Sequence, residues 1–227
     1  MPYIQTAEGV DLFHTEYDAF ADDLAALIER LDLGDITFVG YSAGCGDIVR
    51  YLTRHGSARV ARVVLIASTT PLLLKTPDNS SGLDAEILNA GTSALRRDVP
   101  QWCTDNAPGF FGQTPASAGL EEWVIRQIVD THTKVLLDTA AVFASTDFRE
   151  ELRALNVPTL VMHGDLDASA PIDLTGRPTA ALIPGARLIV YPGMGHGMFA
   201  SDHGRLNRDI LAFIAHTGVA SKMAVPV

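Results

Sequence analysis

Residues 36–51 read Ile36-Thr37-Phe38-Val39-Gly40-Tyr41-Ser42-Ala43-Gly44-Cys45-Gly46-Asp47-Ile48-Val49-Arg50-Tyr51. The short apolar run 36–39 predicts a buried strand. It stops at Gly40-Tyr41-Ser42-Ala43-Gly44, a G-x-S-x-G pattern, and 47–51 opens a helical pattern. Between a strand and a helix, a serine in this pattern sits on a sharp, strained turn with its hydroxyl exposed at the top of a sheet. A turn that sharp leaves no room for side chains at its flanks, which accounts for the glycines. Ser42 is therefore a candidate nucleophile. The competing reading is an ordinary turn serine, and its partners decide between the two.

Outward from this stretch, strand and helix patterns alternate. Residues 3–6 and 10–14 flank Ala7-Glu8-Gly9 and predict a β-hairpin. Phe20, Leu24, Leu27, Ile28 and Leu31 fall at helical spacing, predicting an amphipathic helix over 18–31. The helix after Ser42 closes near His55-Gly56, and 60–67 is a second buried strand. A loop with two prolines follows over 68–77. From 83 to 155 the spacing is mostly helical, with helices predicted over 83–95, 120–129, 135–143 and 147–155. Residues 99–114 hold Pro100, Pro108, Gly109, Gly112 and three aromatics, and lie outside those helices. Strands resume at 157–162 and 187–191, so 72–155 reads as a helical cap inserted into one domain spanning 1–227. A poor helix is expected within 171–183 and a final one over 203–216, leaving 218–227 as a weakly patterned, mobile tail. The expected fold is α/β: a mostly parallel sheet flanked by helices.

The chain has 227 residues, 47% hydrophobic, with a net charge of −10. That suits a single domain with a sizeable core and argues against nucleic-acid binding. No apolar run approaches the roughly 18 residues of a membrane span. The opening residues have neither a basic nor an apolar leader region, so no signal peptide is expected. Cys45 and Cys103 are too few for a disulfide framework, and both are expected reduced in a cytoplasmic setting. Cys45 reads as a small packing residue rather than a second nucleophile. No His, Cys and carboxylate spacing suggests a metal, and no glycine motif suggests a nucleotide, so no cofactor is expected.

Parallel sheets place chemistry at the carboxyl ends of their strands. That rule selects Ser42, the aspartates after Met162, and His196 after Tyr191. A serine hydroxyl needs a base to take its proton, an imidazole supplies one, and a carboxylate fixes the imidazole's tautomer. Ser42, Asp167 and His196 occur in the order Ser…Asp…His, each after a different strand. Asp165 reads as a loop-pairing residue, and His163 as a buried strand-end residue. Individually, Asp167 has a loop-capping alternative and His196 that of an exposed loop histidine. Their joint occurrence favours a serine hydrolase.

With these residues in place, the sequence resembles the cofactor-free (non-haem) haloperoxidase and arylesterase branch of the α/β-hydrolases. The resemblance runs through Tyr17-Asp18-Ala19-Phe20-Ala21-Asp22-Asp23-Leu24, Gly40-Tyr41-Ser42-Ala43-Gly44, Val49-Arg50-Tyr51-Leu52 and Arg54-His55-Gly56. It continues through 72–76, Ser145-Thr146-Asp147-Phe148, Val157-Pro158-Thr159-Leu160, His163-Gly164-Asp165, His196-Gly197 and the last helix. It implies a triad of Ser42, Asp167 and His196, an oxyanion donor in the Ala43 N–H, and hydrolysis of small carboxylic esters. Perhydrolysis, in which hydrogen peroxide replaces water on the acyl-enzyme, is the implied side activity. Tyr41, Leu72, Phe143 and Met198 are the candidate substrate-binding residues.

Two features depart from the family's pattern. Cys45 stands where the family usually has glycine. More consequentially, the family has two strands, a helix and an HG-type loop between the hairpin and the segment starting at Tyr17, and this chain has no counterpart to those roughly 50 residues. That loop brings the second oxyanion N–H, and losing one donor typically costs about a hundred- to a thousandfold in rate. The expectation is a contracted sheet of about six strands, or a homo-oligomer covering the bared edge. Weakened esterase activity follows. The alternative is an impaired remnant serving as a binding or assembly scaffold.

Overall fold

The computed structural model describes residues 3–5, 11–13, 17–114 and 116–223. Its centre is a four-stranded parallel sheet: β3 (Ile36–Tyr41), β4 (Val60–Ile66), β5 (Thr159–Gly164) and β6 (Arg187–Tyr191), in that spatial order. Tyr41 pairs with Ile66, Ile66 with Met162, and Met162 with Ile189. All four strands therefore end on one edge, which aligns the segments after Tyr41, Ile66, Gly164 and Tyr191.

Both faces of the sheet are covered, as near-continuous apolar strands require. Val63, Leu65 and Val161 point one way, against Ile28 of α1 (Tyr17–Arg30), Val49 and Leu52 of α2 (Gly44–His55) and Leu152 of α7 (Arg149–Ala154). Val64, Ile66, Leu160 and Met162 point the other way, against Met198 of α9 (Met198–Ser201) and Leu206 and Phe213 of α10 (His203–Met223). The period-two alternation of one strand thus supplies two cores. On the first face Arg54 bridges α2 to α1 by ion pairs of 2.9 Å to both Asp18 and Asp22.

Between β4 and β5 the chain forms α3 (Ala85–Arg97), α4 (Val99–Phe111), α5 (Ala118–Val129), α6 (Thr133–Ser145) and α7, with no named strand among the described residues. The helix α4 adds to the sequence reading, which named no helix over 99–114. Pro100 lies in the first turn, where its missing N–H is no loss, and the Asp98 side chain caps the helix by accepting the Gln101 N–H at 3.0 Å. Pro108 falls in the last turn, close to where Gly112 ends the helix. The final helix also extends past its expected end at 216, so 218–223 are helical rather than tail, and 224–227 lie outside the described residues. A helix in 171–183 is present as α8 (Gly176–Leu182).

The hairpin pairs as β1 (Tyr3–Gln5) with β2 (Asp11–Phe13), Tyr3 opposite Phe13. Its turn, Ala7-Glu8-Gly9, and His14 lie outside the described residues. The expected sheet of about six strands divides: β1 and β2 pair only with each other, and β3 pairs only with β4, among the described residues.

Candidate active site

Ser42 occupies the turn between β3 and α2 with a backbone φ of 54°. A non-glycine residue held there costs about 1–3 kcal/mol, and such strain collects at functional sites. The turn is pinned by the Ser42 N–H, which donates to Ile66 O at 2.9 Å. Gly40 is demanded by packing: a Cβ there would lie 2.7 Å from Ile48 Cδ1 and 3.0 Å from Cys45 Cα. Gly44 is not, since a Cβ there would meet nothing nearer than Asp47 Oδ2 at 3.8 Å. Only one of the two flanking glycines is sterically required.

The Ser42 hydroxyl lies 2.9 Å from His196 Nε2, and His196 Nδ1 lies 2.7 Å from Asp167 Oδ2. The carboxylate faces Nδ1, so that nitrogen carries the proton and Nε2 is left to accept one from Ser42. Asp167 Oδ1 accepts the N–H groups of Ser169 (2.9 Å) and Ala170 (2.7 Å), which fixes the carboxylate plane. Burial alone would push the Asp167 carboxyl up. Hydrogen bonds from His163 and His196, the His196 charge and the Ala170 N–H outweigh it and hold the group at about 2.

The loop bearing His196 is tied on both sides. Asp165 Oδ1 accepts the Gly193 N–H at 2.7 Å, and the Leu166 N–H donates to Met194 O at 3.0 Å. Asp165 thus has the loop-pairing role that its position suggested. From α4, Phe110 O accepts the Gly197 N–H at 2.6 Å. A Cβ at Gly195 would lie 2.4 Å from that same oxygen, so only glycine lets α4 approach. Tyr41 Oη donates to His196 O at 3.2 Å.

Ser42 and His196 open into a cavity of about 840 Å³ walled by α3 to α6, with Leu73, Leu95, Trp102, Phe110, Val124 and Phe143 among its lining. Four residues were candidates for substrate binding, and Phe143 alone lines this space. Leu72 is buried, and its neighbours Leu73 and Leu74 line the cavity instead. Met198 is buried against Ile66 and Met162 in the core beneath. Tyr41 packs beside His196 and Phe199, with ring centroids 5.1 and 5.0 Å away, and supports the imidazole rather than facing the cavity. A second cavity of about 180 Å³ lies by Ala43, Tyr17, Phe20 and Asp47.

Cys45 is fully buried, its Sγ 3.6 Å from Ile66 O, and burial pushes its thiol up to about 12. It is packing, not a nucleophile. His163 carries more than its sequence position suggested: its Nε2 lies 3.2 Å from Asp167 Oδ2 and 2.8 Å from Ala170 O. The signal was present as a histidine four residues before the aspartate, at the end of a buried strand. Among the described residues no group of three or more His, Cys, Asp and Glu could hold a metal ion, and no helix is long and apolar enough to cross a membrane.

Residues 8–209 match the alpha/beta hydrolase family. The chain is 37% identical over 215 residues to a non-heme haloperoxidase of Rhodococcus erythropolis, covering 92% of this chain and 77% of the relative. It is 35% identical over 215 residues to the bifunctional esterase/perhydrolase DCH of Acinetobacter calcoaceticus, covering 92% and 76%. The crystal structure of a bromoperoxidase from Bacillus anthracis superposes with a TM-score of 0.84 at 31% identity, over 91% of this chain and 78% of that one. The chain belongs to the alpha/beta hydrolase family, alongside the non-heme haloperoxidases.

Proposed function

We propose that this protein hydrolyses carboxylic esters through an acyl-enzyme on Ser42, with hydrogen peroxide able to replace water in the second step. The observation that carries the reading is the unbroken chain Ser42–His196–Asp167, at 2.9 and 2.7 Å, whose first two members line an apolar cavity. Similarity to a named esterase/perhydrolase supports the choice of ester and of peroxide.

Ser42 Oγ adds to the ester carbonyl carbon as its proton passes to His196 Nε2, and the carbonyl π pair moves onto oxygen. The Ala43 N–H stands at the start of α2 with no backbone acceptor among the described residues, free to meet that oxyanion. Collapse of the adduct expels the alkoxide, which takes the proton from His196. Water then adds by the same route, releasing the acid and restoring Ser42. Hydrogen peroxide in its place yields a peracid. Asp167 keeps the imidazole's tautomer and stabilises its cation. The helices α3 to α6 serve as the cap that shapes the acyl and alcohol sites.

The test is hydrolysis of a short-chain aryl ester by wild type and Ser42→Ala in parallel, with labelling by a serine-directed phosphonate. Wild type should turn over and label at Ser42. Turnover no greater than that of Ser42→Ala, with no label, would leave the scaffold reading in its place.

A further inference from the structure

After β4 the chain reads Ser68-Thr69-Thr70, three buried hydroxyl residues of which only two are satisfied. Ser68 Oγ lies 2.6 Å from Thr70 Oγ1, Thr70 Oγ1 lies 2.9 Å from Thr179 Oγ1, and the Thr179 hydroxyl donates to Thr70 O at 2.7 Å. Thr69 points elsewhere. It is 5% exposed, its Oγ1 has no hydrogen-bond partner, and its side chain lines the cavity together with Ser42 and His196. Across the turn, the buried Tyr17 hydroxyl faces Thr69, the side chain it can donate to, and Tyr17 lines the small cavity beside Ala43. With Tyr17 donating to Thr69, the Thr69 hydroxyl proton has no acceptor among the described residues, and a buried donor left so costs about 1–3 kcal/mol.

The backbone holds this arrangement in register. Tyr41 and Ile66 are paired across β3 and β4, and the Ser42 N–H is bonded to Ile66 O, so the nucleophile turn and the strand end leading to Thr69 are one unit.

We propose that the Thr69 hydroxyl is the second oxyanion donor, acting beside the Ala43 N–H. This rests on Ser42 being the nucleophile. As Ser42 Oγ bonds to the carbonyl carbon and the π pair moves to oxygen, Thr69 Oγ1–H donates to that oxygen without losing its proton. Its own lone pairs face Tyr17, whose hydroxyl can donate back and polarise it. When the alkoxide leaves with the proton from His196, the carbonyl reforms and Thr69 releases it.

Three substitutions separate hydroxyl from shape. Thr69→Val keeps the shape and removes the donor, Thr69→Ser keeps the donor and removes a methyl, and Thr69→Ala removes both. On p-nitrophenyl acetate, Thr69→Val and Thr69→Ala should each lose about a hundred- to a thousandfold in kcat with KM little changed, while Thr69→Ser stays within about fivefold of wild type. A trifluoromethyl ketone, which forms an oxyanion on Ser42, should lose affinity for Thr69→Val by the same factor as kcat. Thr69→Val within about threefold of wild type in kcat, while Ser42→Ala is dead, overturns the Thr69 assignment alone. Thr69→Ser falling as far as Thr69→Ala overturns it too, because the loss then follows the methyl. Turnover retained by Ser42→Ala overturns both readings.

Discussion

His163 Nε2 lies 3.2 Å from Asp167 Oδ2, the same oxygen that meets His196 Nδ1 at 2.7 Å. Two imidazoles therefore converge on one buried carboxylate oxygen. Because His163 Nε2 also reaches Ala170 O at 2.8 Å, it must carry the proton and donate to both. His163 Nδ1 is then a bare acceptor with no partner, and it points at Gly176, where a Cβ would lie 2.5 Å away. A histidine of this kind sets the charge state of the carboxylate rather than touching substrate.

Removing that donor should move acid stability. Asp167 is held at about 2, below its ordinary value of about 3.9, so its ionisation stabilises the fold. That contribution is whole above about pH 4 and is lost as pH falls toward 2. In His163→Leu, burial acts with less opposition, so the contribution shrinks and its loss begins at higher pH. The expected cost at pH 7 is about 2 kcal/mol, with His163→Gln, which can still present a donor, costing less. Far-UV circular dichroism along an acid titration reads the shift. A His163→Leu midpoint that coincides with wild type would show that the contact carries nothing.

Asp167→Asn should leave the protein folded and inactive. An asparagine oxygen can still accept the Ser169 and Ala170 N–H groups that Oδ1 now holds. The amide nitrogen must then donate to His196 Nδ1, which forces the imidazole proton onto Nε2, facing Ser42. In that tautomer the ring cannot take the serine proton, and kcat should fall about ten-thousandfold. Thermal melts and steady-state kinetics on the same preparation check this. A kcat within tenfold of wild type would remove Asp167 from the mechanism.

The legible parts of this molecule were those where one local pattern has one physical solution. Gly40-x-Ser42 between an apolar run and a helix has such a solution, and so do buried strands ending at Asp165 and Tyr191. Once the strands are parallel, their ends meet, and Ser42, Asp167 and His196 fall together without further instruction. What stayed hidden depended on direction rather than position. Leu72 and Leu73 are adjacent, yet Leu73 and not Leu72 lines the cavity, and nothing in an irregular loop fixes which side chain turns inward. Met198 follows the histidine closely but opens α9 and points into the core. The helix α4 was hidden because Pro100 sits in the first turn, where proline is tolerated, and Pro108 lies inside the helix, where packing outweighs its missing N–H. Residues from 218 onward carry little apolar pattern and so read as tail, but a lone glycine costs a helix only about 1 kcal/mol, and α10 continues through Gly218.

The cavity predicts a preference among acyl chains. At about 840 Å³, lined by residues such as Leu95, Trp102 and Phe143, it has room far beyond an acetyl group. Each added methylene that enters it contributes about 0.8 kcal/mol, or roughly three- to fourfold in kcat/KM. p-Nitrophenyl butyrate should exceed the acetate by about tenfold, and the hexanoate should exceed the butyrate, with most of the change in KM. A flat or falling series from acetate to hexanoate would mean that the acyl chain does not enter this space.

Asp47 carries the last prediction, and its sign is opposite to that of Asp167. Its carboxylate lies beside the small cavity at Ala43 and accepts no hydrogen bond among the described residues, and burial pushes it up to about 6. A carboxyl raised above its ordinary value of about 3.9 favours folding only while protonated, so stability falls as pH rises from about 4 to 6 and stays lower above. Against this, Asp47 sits near the start of α2, where the helix dipole favours an anion by about 0.3–1 kcal/mol. Burial outweighs the dipole, and the net gain expected from Asp47→Asn is about 1–2 kcal/mol at pH 8. At pH 4 wild type is already protonated and the two proteins should melt together. Urea unfolding at both pH values measures the difference directly. A gain of the same size at pH 4 would assign the effect to packing, and a loss at pH 8 would mean that the carboxylate has a partner after all.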